Sequence, residues 1–491
     1  MERQKHIIKI NLPGGIVSPG DLYEILDIAA DCGVEKVRFG NRQQLLFYVS
    51  EDEMENLSDK FLVNDVIYET NLDDYPNIVS SYVTEDIFPN YRWLTEGVYK
   101  DILNDFHHRP KLKINIVDYY QNLIPFFTGN LNFIASEISN FWYLYIRFPK
   151  TNTMFCWPSL IYSEDIADIS ALLEEKMGNS SEAHQWADES TGKALYTEVN
   201  ALGKFVHQDF EHPLIHTDFQ LPYYEGLNRY SDKKSWLGIY RRLEEYDISF
   251  LKEVCEICFE TRNNQLYTTA WKSLVIKEID NQHRAHWSNL LNKFRINIRH
   301  AANELNWQTE DLCEEALRLK IDLVRKFEDL DLRTYRLCFA IKTKPRTGLF
   351  SAIVIRKRSS KNEVGDDLYE LLYTKDFNPN CKEYIHFHER LTYENLAPAL
   401  TEICDLYYSL RVNNHTSPVI KTRQHTHPNP SEDHFVYQCE HCQSIYDERL
   451  GDAFSDIPEN TSFDDLENYR CPICESGKED FKKLRFPLFS A

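Results

Sequence analysis

Tyr437-Gln438-Cys439-Glu440-His441-Cys442 and, after 28 intervening residues, Cys471-Pro472-Ile473-Cys474 form two Cys-x-x-Cys knuckles near the C-terminus. Two such knuckles place four thiolates around one ion in a tetrahedron, the arrangement that iron and zinc take with sulfur ligands. No other spacing in the chain is as specific, so Cys439, Cys442, Cys471 and Cys474 are the candidate metal ligands. The remaining cysteines, Cys32, Cys156, Cys255, Cys258, Cys313, Cys338, Cys381 and Cys404, are scattered. That is not a disulfide framework, and it fits a reducing, cytoplasmic location. Cys255-Glu256-Ile257-Cys258 is a third Cys-x-x-Cys, but it has no partner pair and lies in an apolar helical period. A buried helix face is the expectation there.

Aromatic and turn residues surround the knuckles: Tyr437, Tyr446-Asp447, Gly451-Asp452, Pro458, Thr461, Phe463, Leu466, Gly477-Lys478 and Phe481. On these residues the segment from Phe435 to Leu484 resembles rubredoxin. The resemblance implies one mononuclear iron held by sulfur alone, a one-electron Fe(III)/Fe(II) carrier without substrate chemistry of its own. It also implies that Tyr437, Tyr446, Phe463, Tyr469 and Phe481 form a small core that keeps water from the sulfurs. Some positions depart from the family. Gln443 and Glu475 stand where rubredoxins usually have Gly after the second cysteine of each knuckle, Tyr469 stands for Trp, and Asn460 for a turn Gly. A non-Gly residue in a left-handed conformation costs roughly 1 kcal/mol. A structural zinc site on a non-redox protein is the alternative to iron.

The body of the chain contains a repeat. Asp21–Phe61 reads DLYEILDIAADCGVEKVRFGNRQQLLFYVSEDEMENLSDKF, and SFLKEVCEICFETRNNQLYTTAWKSLVIKEIDNQHRAHWSNLL follows the same plan 229 residues on. Leu22, Ile25, Ile28 and Ala29 correspond to Leu251, Val254, Ile257 and Cys258 at helical spacing, and a short apolar strand follows in each, Gln44–Val49 and Ser273–Lys277. Each copy precedes a segment rich in β-type residues. These are Leu112–Val117 with Phe141–Phe148, and Tyr335–Ile341 with Leu349–Arg356. The expected class is α+β, with two pseudo-twofold-related ferredoxin-like arms, two larger α+β domains and a small metal domain. The expected boundaries are a half-domain over 1–70, a larger domain over 71–215, a second half-domain over 216–305, its larger domain over 306–411, a linker over 412–433 and the metal domain over 434–491. The linker, VNNHTSPVIKTRQHTHPNPSED, is polar and proline-bearing, and a flexible chain of this length spans on the order of 25 Å. His425 and His427 in it are weak metal candidates.

Several short motifs of the body, taken in order, resemble the siroheme-containing sulfite and nitrite reductases. They are Leu12-Pro13-Gly14-Gly15, Arg38-x-x-x-Arg42-Gln43, Lys111-Leu112-Lys113 and Thr269-Ala270-Trp271-Lys272. The resemblance implies that Arg38 and Arg42 grip siroheme carboxylates and that Lys111 and Lys113 face a bound anion. A retained structural salt-bridge network is the alternative for these four cations. The family's four-iron cluster needs Cys-x5-Cys and Cys-x3-Cys, and neither spacing occurs here. Asn11 and Pro76 stand where the family has arginines. Six-electron reduction of sulfite or nitrite is therefore not expected, and an electron carrier is favoured over a catalyst.

At 491 residues, with 42% hydrophobic and 13% aromatic content, the chain can build several cores. A net charge of −22 argues against nucleic acid and against anionic membranes as partners. The opening MERQKHIIKINLPGG has no apolar signal region. The function expected is one-electron transfer to or from a redox partner protein, a reductase or assimilatory enzyme, in nitrite or sulfite assimilation. A non-redox zinc protein, and a body that binds siroheme or another tetrapyrrole fed by its own iron, are the two alternatives.

Overall fold

The computed structural model describes residues 4–85, 87, 93–149, 153–178, 189–210, 213–214, 219–229, 231, 233–298, 303–344, 348–358, 367–381, 383–414, 435–441, 444–452, 455, 457–458, 460–472 and 476–485. The chain divides into two compact units, Met1–Ser409 and Leu410–Ala491. Among the described residues no helix is long and apolar enough to cross a membrane.

Alternation and helical periodicity build the first repeat. Strand Lys5–Ile10 runs antiparallel to Leu45–Ser50, which pairs in turn with Lys36–Phe39. Helix Pro19–Asp31 starts with proline in its first turn, where no N–H is needed, and the Ser18 hydroxyl accepts from Asp21 N at 3.0 Å. It buries Leu22, Ile25, Leu26 and Ala29. The second repeat pairs Lys234–Ile239 with Leu274–Asp280, and its helix Ile248–Thr261 buries Leu251, Val254, Cys255 and Cys258. Both cysteines of that Cys-x-x-Cys are fully buried on the helix, and burial pushes the Cys255 thiol up to about 12. The two helices pack together and form one core with both sheets. Each sheet also borrows a strand from the other repeat: Tyr246–Asp247 pairs with Lys36–Phe39, and Ile16–Val17 pairs with Leu266–Thr268.

The repeat extends to backbone conformation. Gln43 and Lys272, 229 positions apart, both have positive φ, at 60° and 58°. Their turns close identically: Gln43 N donates to Gly40 O at 2.9 Å, and Lys272 N donates to Thr269 O at 3.2 Å. Gly15 and Glu244, again 229 apart, have φ of 76° and 58°. Gly15 has a second reason to lack a side chain, since a Cβ there would stand 2.9 Å from Thr268 O.

Two larger sheets follow, one after each repeat. In the first, Val79–Ser80, Ile114–Val117 and Leu131–Ala135 are parallel, and Phe141–Arg147 joins antiparallel. In the second, Trp307–Thr309, Phe339–Lys342 and Ile353–Arg358 are parallel, and Leu368–Thr374 joins antiparallel. The expected strand Tyr335–Ile341 is shorter than its composition suggests. Arg336 has φ 71° and Leu337 N closes a turn on Thr334 O, so extended pairing begins only at Phe339. The expected linker also starts late, because its first residues complete helix Tyr393–Asn414; from 415 to 434 it lies outside the described residues, with His425 and His427.

The second repeat meets helix Glu314–Asp329, and Thr309 of the second large sheet, through buried charge. Glu244 accepts from Lys272 Nζ at 2.6 Å and from Lys320 Nζ at 3.0 Å, with each residue at most 4% exposed. Burial alone would raise the Glu244 carboxyl, but the two ammonium groups outweigh it and hold it at about 2. A depressed carboxyl contributes stability that is complete above its unfolded value, roughly pH 4–5, and lost as pH falls toward 2. Glu244→Gln removes the carboxylate between the two ammonium groups, leaving Lys272, among the described residues, only the longer pair with Asp311 at 3.6 Å. It should lower the unfolding free energy of the body by about 3–5 kcal/mol at pH 7 in urea titration. The gap to wild type should narrow between pH 4 and pH 2.

Candidate metal centre and the basic cluster of the body

In the C-terminal unit, Phe435–Cys439 is the middle strand of a three-stranded sheet between Ile445–Tyr446 and Phe481–Arg485. Each knuckle loops back over five residues. Cys439 N donates to Ser444 O at 2.8 Å, and Cys471 N donates to Ser476 O at 2.9 Å. The serine hydroxyls then cross over. Ser444 Oγ lies 2.8 Å from Cys471 Sγ, and Ser476 Oγ lies 3.0 Å from Cys439 Sγ. The two knuckles therefore face each other across a shared centre. Cys439 and Cys471 are 0% and 1% exposed. Cys442 and Cys474, with Gln443 and Glu475, lie outside the described residues. Among the described residues no group of three His, Cys, Asp or Glu is placed to hold a metal ion. The described half of the donor set suits a thiophilic ion: two sulfurs brought to one place, shielded from water and met by hydroxyl groups.

The five expected aromatics do pack together. Tyr437 stacks on Phe463 at 4.0 Å, and Tyr446, Tyr469 and Phe481 close round Phe463 at 5.4–5.7 Å. Two of the tyrosine hydroxyls bond within the unit: Tyr446 donates to Thr461 O at 2.9 Å and Tyr469 to Asp452 Oδ2 at 3.0 Å. Asn460 takes φ 65° at the position read as a turn glycine, a conformation asparagine tolerates. The cross-bonding serines were not singled out in the sequence. Their signal was there, since each stands five residues after the first cysteine of its knuckle.

The four body cations separate into two kinds. Arg38 is spent on carboxylates, with Nη2 donating to Glu245 at 2.8 Å and to Glu314 at 2.9 Å. Lys111 is exposed, 5.9 Å over the Tyr75 ring beside Arg109 at 4.2 Å. Arg42 and Lys113 do come together. Arg42 is buried and donates to Asn77 O at 2.7 Å and Ile114 O at 2.9 Å. Burial and then the nearby Arg147 charge hold its guanidinium down to about 10, against the pull of Asp73. Burial, then Arg42, lowers Lys113.

Two further cations complete this cluster, and no motif had marked them. Asn130 sits between Lys113 and Arg147, accepting from Lys113 N at 3.1 Å and donating to Arg147 O at 3.1 Å. From the second sheet comes Lys342, whose register partner is Arg356. Burial, then Arg356 and Arg147, bring the Lys342 ammonium down to about 8. Among the described residues Arg42, Lys113, Arg147 and Lys342 form no ion pair. Elsewhere on the body, a cleft of about 580 Å³ beside helix Pro19–Asp31 is lined by Asn11, Tyr75, Asn77, His108 and Arg109, and by none of the four clustered cations.

Comparison with known proteins agrees with this division. The family model Rubredoxin matches residues 436–481, and the model Nitrite/Sulfite reductase ferredoxin-like half domain matches residues 1–62. Rubredoxin-2 of Chlorobaculum tepidum is 43% identical over 49 residues, 10% of this chain and 94% of that protein. Rubredoxin-2 of Desulfovibrio desulfuricans is 38% identical over 52 residues, 10% of this chain and 84% of that protein. Among solved structures, the NirA protein of Mycobacterium tuberculosis matches with a TM-score of 0.62 at 12% identity, over 82% of this chain and 80% of that one. At that identity the likeness is one of fold.

A half-buried cation with no ion pair among the described residues opposes folding while it is charged. The Lys342 pKa is depressed, so its penalty is present below about pH 8 and fades as pH rises toward the unfolded lysine value near 10. Lys342→Met should therefore raise body stability at pH 7 by roughly 1–3 kcal/mol. Denaturation curves should show the advantage shrinking between pH 8 and pH 10.

Proposed function

Because the chain belongs, through residues 436–481, to the rubredoxin family, we propose that it is a one-electron carrier whose Cys439, Cys442, Cys471 and Cys474 hold one mononuclear iron. The observation that carries the reading is the pair of facing knuckles, with the hydroxyl of each reaching the first sulfur of the other. Bound there, iron supplies a one-electron Fe(III)/Fe(II) couple. The chain's own residues do the rest. The strand and turn hydrogen bonds fix the cysteine backbones, and the aromatic cluster around Phe463 shields the site from water on one side. Zinc in the same four positions would leave a structural site and no couple.

The body supports a placement beside nitrite or sulfite assimilation, with a redox partner protein as donor or acceptor. We assign it two ferredoxin-like arms related by a pseudo-twofold, over 1–70 and 216–305, and two larger domains over 71–215 and 306–411; the repeated turns at Gln43 and Lys272 support this. The missing cysteine spacings of a four-iron cluster support a body that carries out no six-electron reduction. The scattered thiols, none in a disulfide among the described residues, suit a cytoplasmic location.

Native protein purified without oxygen should be red, contain one iron per chain, and lose its sulfur-to-iron bands on reduction. Cys439→Ser or Cys474→Ser should abolish at least nine-tenths of that absorbance. A colourless protein with one zinc per chain would replace this reading by the structural one.

A second reading concerns the body. Arg38 and Lys111 do not fit a tetrapyrrole grip, being paired or exposed. Arg42 is buried and Lys113, Arg147 and Lys342 are half-buried, and among the described residues none of the four is in an ion pair, which favours an anionic ligand between the two large sheets. Siroheme, an eightfold carboxylate, is the probe. Titration into the full chain should give a saturable spectral change that Arg42→Ala with Lys113→Ala weakens at least tenfold. No saturable change would leave the body without a tetrapyrrole role and the iron reading intact.

A further inference from the structure

We infer that Ser444 and Ser476 are a matched pair of tuning residues that raise the reduction potential of the metal centre by donating hydroxyl hydrogen bonds to its sulfurs. The inference rests on the iron reading above and names residues that neither the cysteine spacing nor the family likeness assigns.

The geometry is reciprocal. Ser444 belongs to the first knuckle and its Oγ lies 2.8 Å from Cys471 Sγ of the second, while Ser476 belongs to the second and its Oγ lies 3.0 Å from Cys439 Sγ of the first. The main chain of the same serines holds their own knuckles, since Ser444 O accepts from Cys439 N and Ser476 O from Cys471 N. Each serine is therefore pinned by its carbonyl and has its side chain delivered to the facing sulfur, with little freedom left to relax away.

The direction of hydrogen bonding follows from the chemistry. A metal-bound cysteine sulfur is a thiolate with no proton, so the serine hydroxyl is the only possible donor in each pair. Hydrogen bonds to an anionic acceptor are stronger than neutral ones. They matter more here because both sulfurs are buried, at 0% and 1% exposure, where water does not compete.

One electron added to the centre makes the sulfurs more negative. Both hydroxyl bonds then strengthen, so they stabilise the reduced state more than the oxidised one and raise the potential. They also lower the energy of the sulfur donor orbitals, which moves the sulfur-to-iron bands to higher energy. An acidic surround works in the opposite sense. Glu440 and Asp480 stand at the first knuckle, with Glu440 N bonded to Asp480 O at 2.9 Å.

The test uses the full chain, loaded with iron and titrated spectroelectrochemically without oxygen. Ser444→Ala and Ser476→Ala should each lower the potential and shift the charge-transfer bands to the red at unchanged iron content. The double variant should shift further than either single one, and Ser444→Thr, which keeps a hydroxyl, should recover most of the Ser444→Ala shift. An iron-loaded double variant with the wild-type potential and bands would overturn the serine roles while leaving the iron assignment standing. A native chain that holds zinc and shows no bands would overturn both. Should the alanine variants not retain iron, the wild-type chain decides. Within seconds of mixing into D2O, while slowly exchanging buried amides still carry protons, its Fe–S stretching bands should shift through the two hydroxyls. No fast shift would also overturn the proposal.

Discussion

The body is organised around one side chain at the tip of a hairpin. The Gln43 carboxamide accepts from Ser80 N at 2.9 Å, donates to Ser80 O at 3.1 Å and donates to Thr268 O at 2.9 Å. Through these bonds the first repeat, the first large sheet and the second repeat meet at a fully buried point. An amide suits the place because it offers donor and acceptor together, and an unmatched partner there would cost about 1–3 kcal/mol. The left-handed backbone of Gln43 is part of the same constraint, since it aims the amide inward past Gly15, where there is no room for a Cβ.

The second repeat uses the same backbone for different chemistry. Lys272 has the same positive φ in the same turn, but its ammonium enters a carboxylate site made by Glu244 and shared with Lys320. Next to it Trp271 occupies the place of Arg42. Its indole N–H donates to Leu123 O at 2.7 Å, and its ring meets Phe350 edge-on at 5.4 Å. One copy thus joins its large sheet through neutral amides and a guanidinium on carbonyls, the other through a salt cluster and an aromatic contact. Equivalent geometry has been kept while the polar groups have diverged, which is why the repeat is faint in sequence and plain in conformation.

The metal unit follows a different logic. It is too small to bury much apolar surface, and its five aromatics gather on one side of a three-stranded sheet. Its two knuckles depend on each other through side chains as well as through any shared ion, because each hydroxyl reaches across to the opposite sulfur. Small domains commonly need such a staple to supplement a modest core.

The sequence by itself determined the cysteine knuckles, the aromatic set around them, the buried face of the Cys255 helix and the two-copy plan of the body. Each of these is a local spacing, and spacing survives in one dimension. It also carried the serine offset that prefigures the crossed hydroxyl bonds. Only the tertiary structure decided the fate of the cations. Arg38 finds Glu245 and Glu314, 207 and 276 residues away, whereas Lys113 is left beside Arg42 and Arg147, and Lys342 beside Arg147. Whether a charge is paired or left bare depends on which strand ends converge and how deeply they are buried, and neither is written in the neighbouring residues.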